Sequence, residues 1–113
     1  MSLVDDIGRV VDDVYPLYLQ VFARSKLKFE KLSKDYFRAL GRRMPDKIRF
    51  FVWRQQGRIV AFAMCMVDRD TIFFEYLGLD YDVALDLHLY HWVIRDLMRW
   101  AMARGTRGAS ARR

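Results

Sequence analysis

A chain of 113 residues, 53% of them hydrophobic, is long enough for one core and too short for two domains. No apolar run approaches the roughly 20 residues a membrane helix needs, and the start, with Asp5 and Asp6 and no basic region, is not a secretory signal, so a cytoplasmic location without a membrane partner is expected. The net charge of +6 is polarised, with twelve Lys or Arg against three acids in residues 24–58 and five Arg without an acid in residues 99–113; each stretch is either a solvated face or a surface for a polyanion such as nucleic acid.

Ile7, Val10, Val11, Val14, Tyr18, Val21 and Phe22 recur at spacings of three and four, which predicts a helix over residues 5–23. Pro16 lacks an N–H and clashes with the preceding turn, so a kink or fresh start is expected there, capped by Asp12 or Asp13. Ser33 opens a second helix carrying Tyr36, Phe37 and Leu40, and Gly41 is expected to close it before the loop Met44-Pro45-Asp46.

Ile48 to Arg54 is a strand that turns at Gln55-Gln56-Gly57 into a second strand from Arg58 to Val67, a hairpin in which glycine supplies the positive φ. The second strand is apolar at odd and even positions alike, the pattern of a central strand covered on both faces. Its Cys65 is the single cysteine, so no internal disulfide can form and a buried, inert thiol is expected. After a turn at Asp68-Arg69-Asp70, Thr71 to Leu77 forms a third strand that carries Glu75 among aromatic residues. The last helix spans roughly Ala84 to Arg104, buries Leu85, Leu89, Trp92, Val93, Leu97, Trp100 and Ala101, starts at Asp80 or Asp82 and ends at Gly105. Residues 106–113 read as a disordered basic tail. Residues 1–105 then make a single α+β domain: two N-terminal helices, a three-stranded antiparallel meander and a C-terminal helix.

Gly78-Leu79-Asp80-Tyr81 sits where the third strand hands over to that helix, and a helix start beside a sheet edge presents unpaired N–H groups and a positive dipole end to a phosphate or carboxylate. Glu75 is either a desolvated general base or a carboxylate facing solvent or an arginine. His88 and His91, with Asp86 and Asp96 nearby, are too few for a metal site, and none is expected. Tyr81, Tyr36 and Trp53 either line a cleft or pack.

The order helix, helix, three strands, loop, helix resembles the middle of the GNAT acyltransferase fold. The segment Arg24-Ser25-Lys26-Leu27-Lys28-Phe29-Glu30-Lys31-Leu32, the hairpin Gly57-Arg58-Ile59-Val60-Ala61-Phe62, and Gly78-Leu79-Asp80-Tyr81 with Leu89-Tyr90 resemble a bacterial family of predicted N-acyltransferases related to the Fem-type peptidoglycan-bridge aminoacyltransferases. The resemblance covers about residues 14–105. It implies an amine-acylating enzyme without a tightly bound cofactor, whose donor substrate is acyl-CoA or aminoacyl-tRNA. By position, Glu75 and Tyr76 would stand near the reacting centre, and Leu77, Gly78, Leu79, Asp80, Tyr81 and Ala84 would hold the donor. A phosphate loop of that family carries more glycine than the single Gly78 here, and Asp80 and Asp82 oppose a pyrophosphate. Relative to the family, a first strand and whatever follows the third helix look absent, so the third strand is expected to be an open edge that pairs in a homodimer or domain swap, or to belong to a piece of a longer enzyme. The reading from a different class is a non-catalytic module that binds nucleic acid or an acidic partner through residues 24–58.

Overall fold

The computed structural model describes residues 1–24, 31–68, 71–84, 88–103 and 108–111. In chain order these form β1 (Ser2–Val4), a 3-10 turn (Ile7–Arg9), α1 (Val11–Arg24), α2 (Lys34–Arg43), β2 (Ile48–Gln55), β3 (Arg58–Asp68), β4 (Thr71–Leu79), α3 (Tyr81–Ala84), α4 (Leu89–Ala103) and β5 (Gly108–Ala111). The strands make one sheet in the order β1-β2-β3-β4-β5, antiparallel except for the parallel pair β4–β5.

β3 is the central strand, as its unbroken apolar sequence implies. Phe62 and Met64 point into a core built from Ile7, α1 and α2, while Ala61, Ala63, Cys65 and Val67 point into a second core under α4. The period of two sorts successive residues onto opposite faces, so a strand with helices on both sides must be apolar throughout. The hairpin turn is also as read: Gln56 (φ 52°) and Gly57 (φ 80°) both occupy the left-handed region that a two-residue turn requires.

The helices depart from the pattern at their ends. Asp6 caps the 3-10 turn, its carboxylate accepting from the Gly8 N–H at 3.0 Å. α1 then runs through Pro16 without a fresh start, and Asp12 and Asp13 lie in its first turn, where negative charge suits the helix dipole, rather than at a cap. Ser33 does cap α2, accepting from the Tyr36 N–H at 3.1 Å. Gly41 lies inside α2 and does not end it. A Cβ there would stand 3.0 Å from Ile7 Cγ2 and 3.3 Å from a Phe50 ring carbon, so the glycine serves close packing. The expected last helix is divided into α3 and α4, with His88 at φ 48° just before Leu89. Of the expected stripe, Leu89, Val93, Leu97 and Ala101 are buried and Trp100 packs edge-on against Phe51 at 5.0 Å, but Trp92 is 43% exposed.

Two strands carry no sequence signal. β1 is three residues long and pairs with Phe50–Val52. β5, Gly-Ala-Ser-Ala, lies where a disordered tail was expected; small residues have little intrinsic strand preference, and its parallel register on Thr71–Phe74 makes it a strand. The first strand that looked absent is therefore present, and the edge that looked open is covered along Thr71–Phe74. Arg69, Asp70, Leu85, Asp86, Gly105 and the Ser25–Glu30 part of the quoted basic segment lie outside the described residues. No described helix is long and apolar enough to cross a membrane.

Candidate active site

β4 runs on to Leu79, and its parallel pairing with β5 is described as far as Phe74 and Ala111. At the same place the β3–β4 register jumps from Met64–Tyr76 to Cys65–Phe74, so that Glu75 is the extra residue of a β-bulge. A bulge bends its strand and re-aims side chains. Beside this stretch lies a cleft of about 250 Å³, lined by Phe74, Glu75, Tyr76 and Leu77 of β4, by Tyr90, Val93, Ile94 and Leu97 of α4, and by Val21 and Ala63. Apolar walls with one carboxylate suit an uncharged, methylene-rich arm.

Three predicted site residues, Glu75, Tyr76 and Leu77, are thus brought together. They differ in what holds them. The ring of Tyr76 packs edge-on against Tyr18 and Phe37, each at 6.1 Å, and so belongs to the core on the α1–α2 side. Glu75 lies close enough to Cys65 for its charge to act on the thiol. Burial first, and that carboxylate second, push the Cys65 thiol up from 9.0 to about 12, so it stays a protonated, inert side chain.

The expected phosphate cradle is different. Its backbone N–H groups are taken within the chain: Asp80 donates to the Val60 carbonyl at 2.9 Å, Tyr81 to the Gln20 amide oxygen at 2.8 Å, Asp82 to the Asp80 carboxylate at 3.0 Å and Val83 to the Asp80 carbonyl at 3.2 Å. Asp80, only 3% exposed, is also paired with the guanidinium of Arg58. Gly78 has no room for a ligand on its Cα, because a Cβ there would stand 2.4 Å from a Phe62 ring carbon and 2.7 Å from the Tyr18 nitrogen. Leu79 is buried in the α4-side core, and Ala84 closes the single turn of α3. The expectation of open amides at Gly78–Tyr81 is therefore corrected: a buried N–H must find a partner, and a nearby Gln and Asp supply it. Around this junction, Asp12, Asp13 and Asp82 surround Arg54 and Arg58 in a polar cleft of about 500 Å³.

Gln20, Arg58 and Arg24 were not singled out by sequence. Arg24 lies 3.9 Å over the Tyr81 ring and donates to the Gln20 carbonyl at 3.3 Å, so one side of α1 clamps the start of α3. Opposite charges on Arg58 and Asp80 are the only signal, and it becomes readable once the register Ala61–Leu79 is known. Tyr15 and Tyr18 hold the backbone of Leu32 from both ends, Tyr15 donating to its carbonyl at 2.7 Å and Tyr18 accepting from its N–H at 3.0 Å.

The other candidates are bound up in structure. Trp53 packs and donates to Asp96 at 2.9 Å. His88, His91 and Tyr36 are exposed. Among the described residues no group of three or more His, Cys, Asp or Glu side chains is placed to hold a metal ion. Within the basic stretch, Lys34 reaches Asp12 at 2.8 Å, Arg38 reaches Asp35 at 2.9 Å, Arg58 reaches Asp80, and Arg49 donates to the carbonyls of Pro45 at 2.8 Å and Ile48 at 3.1 Å.

A five-stranded sheet, antiparallel except for its last two strands and packed on both faces by helices, is the architecture against which the chain can be compared. Its sequence matches the family described as acetyltransferase (GNAT) domain over residues 4–110. The chain belongs to that family. Solved structures agree in fold. A mutant of the BH1408 protein from Bacillus halodurans superposes with a TM-score of 0.75 at 14% identity, over 100% of this chain and 82% of that one. The aminoglycoside N-acetyltransferase AAC(6')-Iy in complex with CoA gives 0.66 at 15% identity, over 94% and 72%. A ribosomal-protein-alanine N-acetyltransferase from Brucella melitensis biovar Abortus 2308 gives 0.65 at 15% identity, over 97% and 77%. No curated protein matches. At these identities the likeness to other GNAT structures is one of fold.

Proposed function

We propose that this GNAT domain transfers an acyl group from a thioester donor, held in the cleft between β4 and α4, to an amine. The observation that carries the reading is the bulge at Glu75, which coincides with the apolar cleft between β4 and α4. Membership of the family and the CoA complex of one structural neighbour support it. The resemblance of Gly57-Arg58-Ile59-Val60-Ala61-Phe62 and Gly78-Leu79-Asp80-Tyr81 to the Fem-type enzymes supports a relation to that branch. The donor nevertheless fits a thioester better than an RNA ester, because among the described residues no Lys or Arg lines the cleft and a polyanion needs cations.

In this reading the cleft aligns the donor carbonyl with the incoming amine, and most of the rate comes from that positioning. The amine nitrogen bonds to the carbonyl carbon, the C–S bond breaks, and the amine proton passes to Glu75 and from there to the departing thiolate. Tyr76 positions the strand through its ring. Titration of the ¹⁵N-labelled protein with acetyl-CoA and with acetyl-pantetheine should shift amides of β4 and α4; shifts with neither donor would end the proposal. Glu75→Gln should lower kcat by about 10²-fold or more while leaving donor binding intact. An unchanged kcat would remove Glu75 as the base.

A further inference from the structure

The β4–α3 junction is the place where a nucleotide diphosphate would meet backbone amides, and in this chain it already holds an anion of its own. The Asp80 carboxylate accepts from the Asp82 N–H at 3.0 Å and pairs with Arg58, an amide and a guanidinium that a phosphate oxygen would otherwise engage. The neighbouring amides of Asp80, Tyr81 and Val83 end on Val60, Gln20 and Asp80. The Asp80 side chain is 4% exposed, whereas that of Arg58 is 65% exposed, so Asp80 is part of the interior and the guanidinium is recruited to it from solvent. Asp12, Asp13 and Asp82 line the cleft outside and add negative charge to the approach of a polyphosphate.

We infer that Asp80 is a built-in substitute for a donor phosphate, and that the enzyme reads its donor by the acyl-pantetheine arm alone. The inference rests on the proposed thioester donor, and it adds which part of that donor is recognised. The uncharged arm finds its complement in the cleft lined by Phe74, Leu77, Val93 and Leu97, and the nucleotide end finds none at Asp80–Val83.

Calorimetry with acetyl-CoA and acetyl-pantetheine tests this on the full chain. Equal affinity within about threefold is expected, with little loss between 50 and 300 mM NaCl, because no phosphate contact is made. Acetyl-CoA binding at least about thirtyfold tighter overturns the inference and leaves the acyltransferase reading standing. Failure of both donors to bind overturns both. Asp80→Ser frees Arg58 while its hydroxyl keeps the cap on the Asp82 amide; it should raise affinity for acetyl-CoA about tenfold and leave acetyl-pantetheine unchanged. If that variant does not fold, the comparison of donors on the unaltered protein decides alone.

Discussion

The two ends of β4 solve opposite problems. At Phe74–Leu77 the strand bulges at Glu75 and its flank lines an apolar cleft under α4. At Gly78–Val83 the chain turns into α3, and the amides of Asp80, Tyr81, Asp82 and Val83 are met internally by Val60, Gln20 and Asp80, whose carboxylate also pairs with Arg58. A binding site needs surface with unmet interactions, and a turn buried against a core cannot leave backbone groups unmet. The contrast separates the part of the strand available for chemistry from the part that secures it.

The sharpest way to break this comparison is to fill the cleft. Ile94→Trp adds an indole to its α4 wall and should lower kcat/KM about 100-fold with a melting temperature close to that of the parent. Retained activity would move the donor site elsewhere. At the junction the expected losses are of stability. Gly78→Ala forces a methyl into the Phe62 ring and the Tyr18 backbone and should cost about 2 kcal/mol in urea unfolding; a cost under about 0.5 kcal/mol would mean the junction is loosely packed. Asp80→Ala removes the cap on Asp82 and should cost about 1.5 kcal/mol, with Asp80→Asn recovering most of it, because the exposed Arg58 contributes little as an ion pair.

Under the cleft, Cys65 offers a pH test. Its thiol ionises near 12 in the folded chain against 9.0 ordinarily, so between these values the unfolded chain loses its proton first and stability falls as pH rises, by about 1.4 kcal/mol per pH unit. Cys65→Ala should flatten that slope in a comparison of urea midpoints at pH 9 and pH 10. The smallest effect concerns the solvated Asp12, whose carboxyl is held below its usual range by the hydrogen bond and charge of Lys34. That contribution is present at neutral pH and lost as pH falls through the lowered value. Lys34→Ala should return the Asp12 carboxyl toward its ordinary value in an NMR titration; an unmoved value would show that the pair does not persist in solution.

Legibility in the sequence followed the range of the interaction. The β2–β3 hairpin, the two-faced β3 and the cap at Ser33 were readable because each depends on residues within a few positions of one another. Glu75, Tyr76 and Leu77 were readable as neighbours on one strand, and the cleft brings them together. Gly41 was misread as a helix end, and the close packing of Gly78 was not foreseen. Each glycine in fact faces a side chain far away in sequence, Ile7 and Phe50 for one and Phe62 for the other.

By itself the amino-acid order determined the alternation of β2–β4, the amphipathic stripes of α1 and α4, and hence an α+β layer arrangement with β3 at its centre, since side-chain period and burial are local properties. The tertiary structure decided that Gly-Ala-Ser-Ala would be a strand, that Glu75 would bulge from the β3–β4 ladder, and that Gln20 and Asp80 would take the junction's amides. Those outcomes depend on which distant groups meet, and short polar or small-residue segments take their conformation from whatever they pack against.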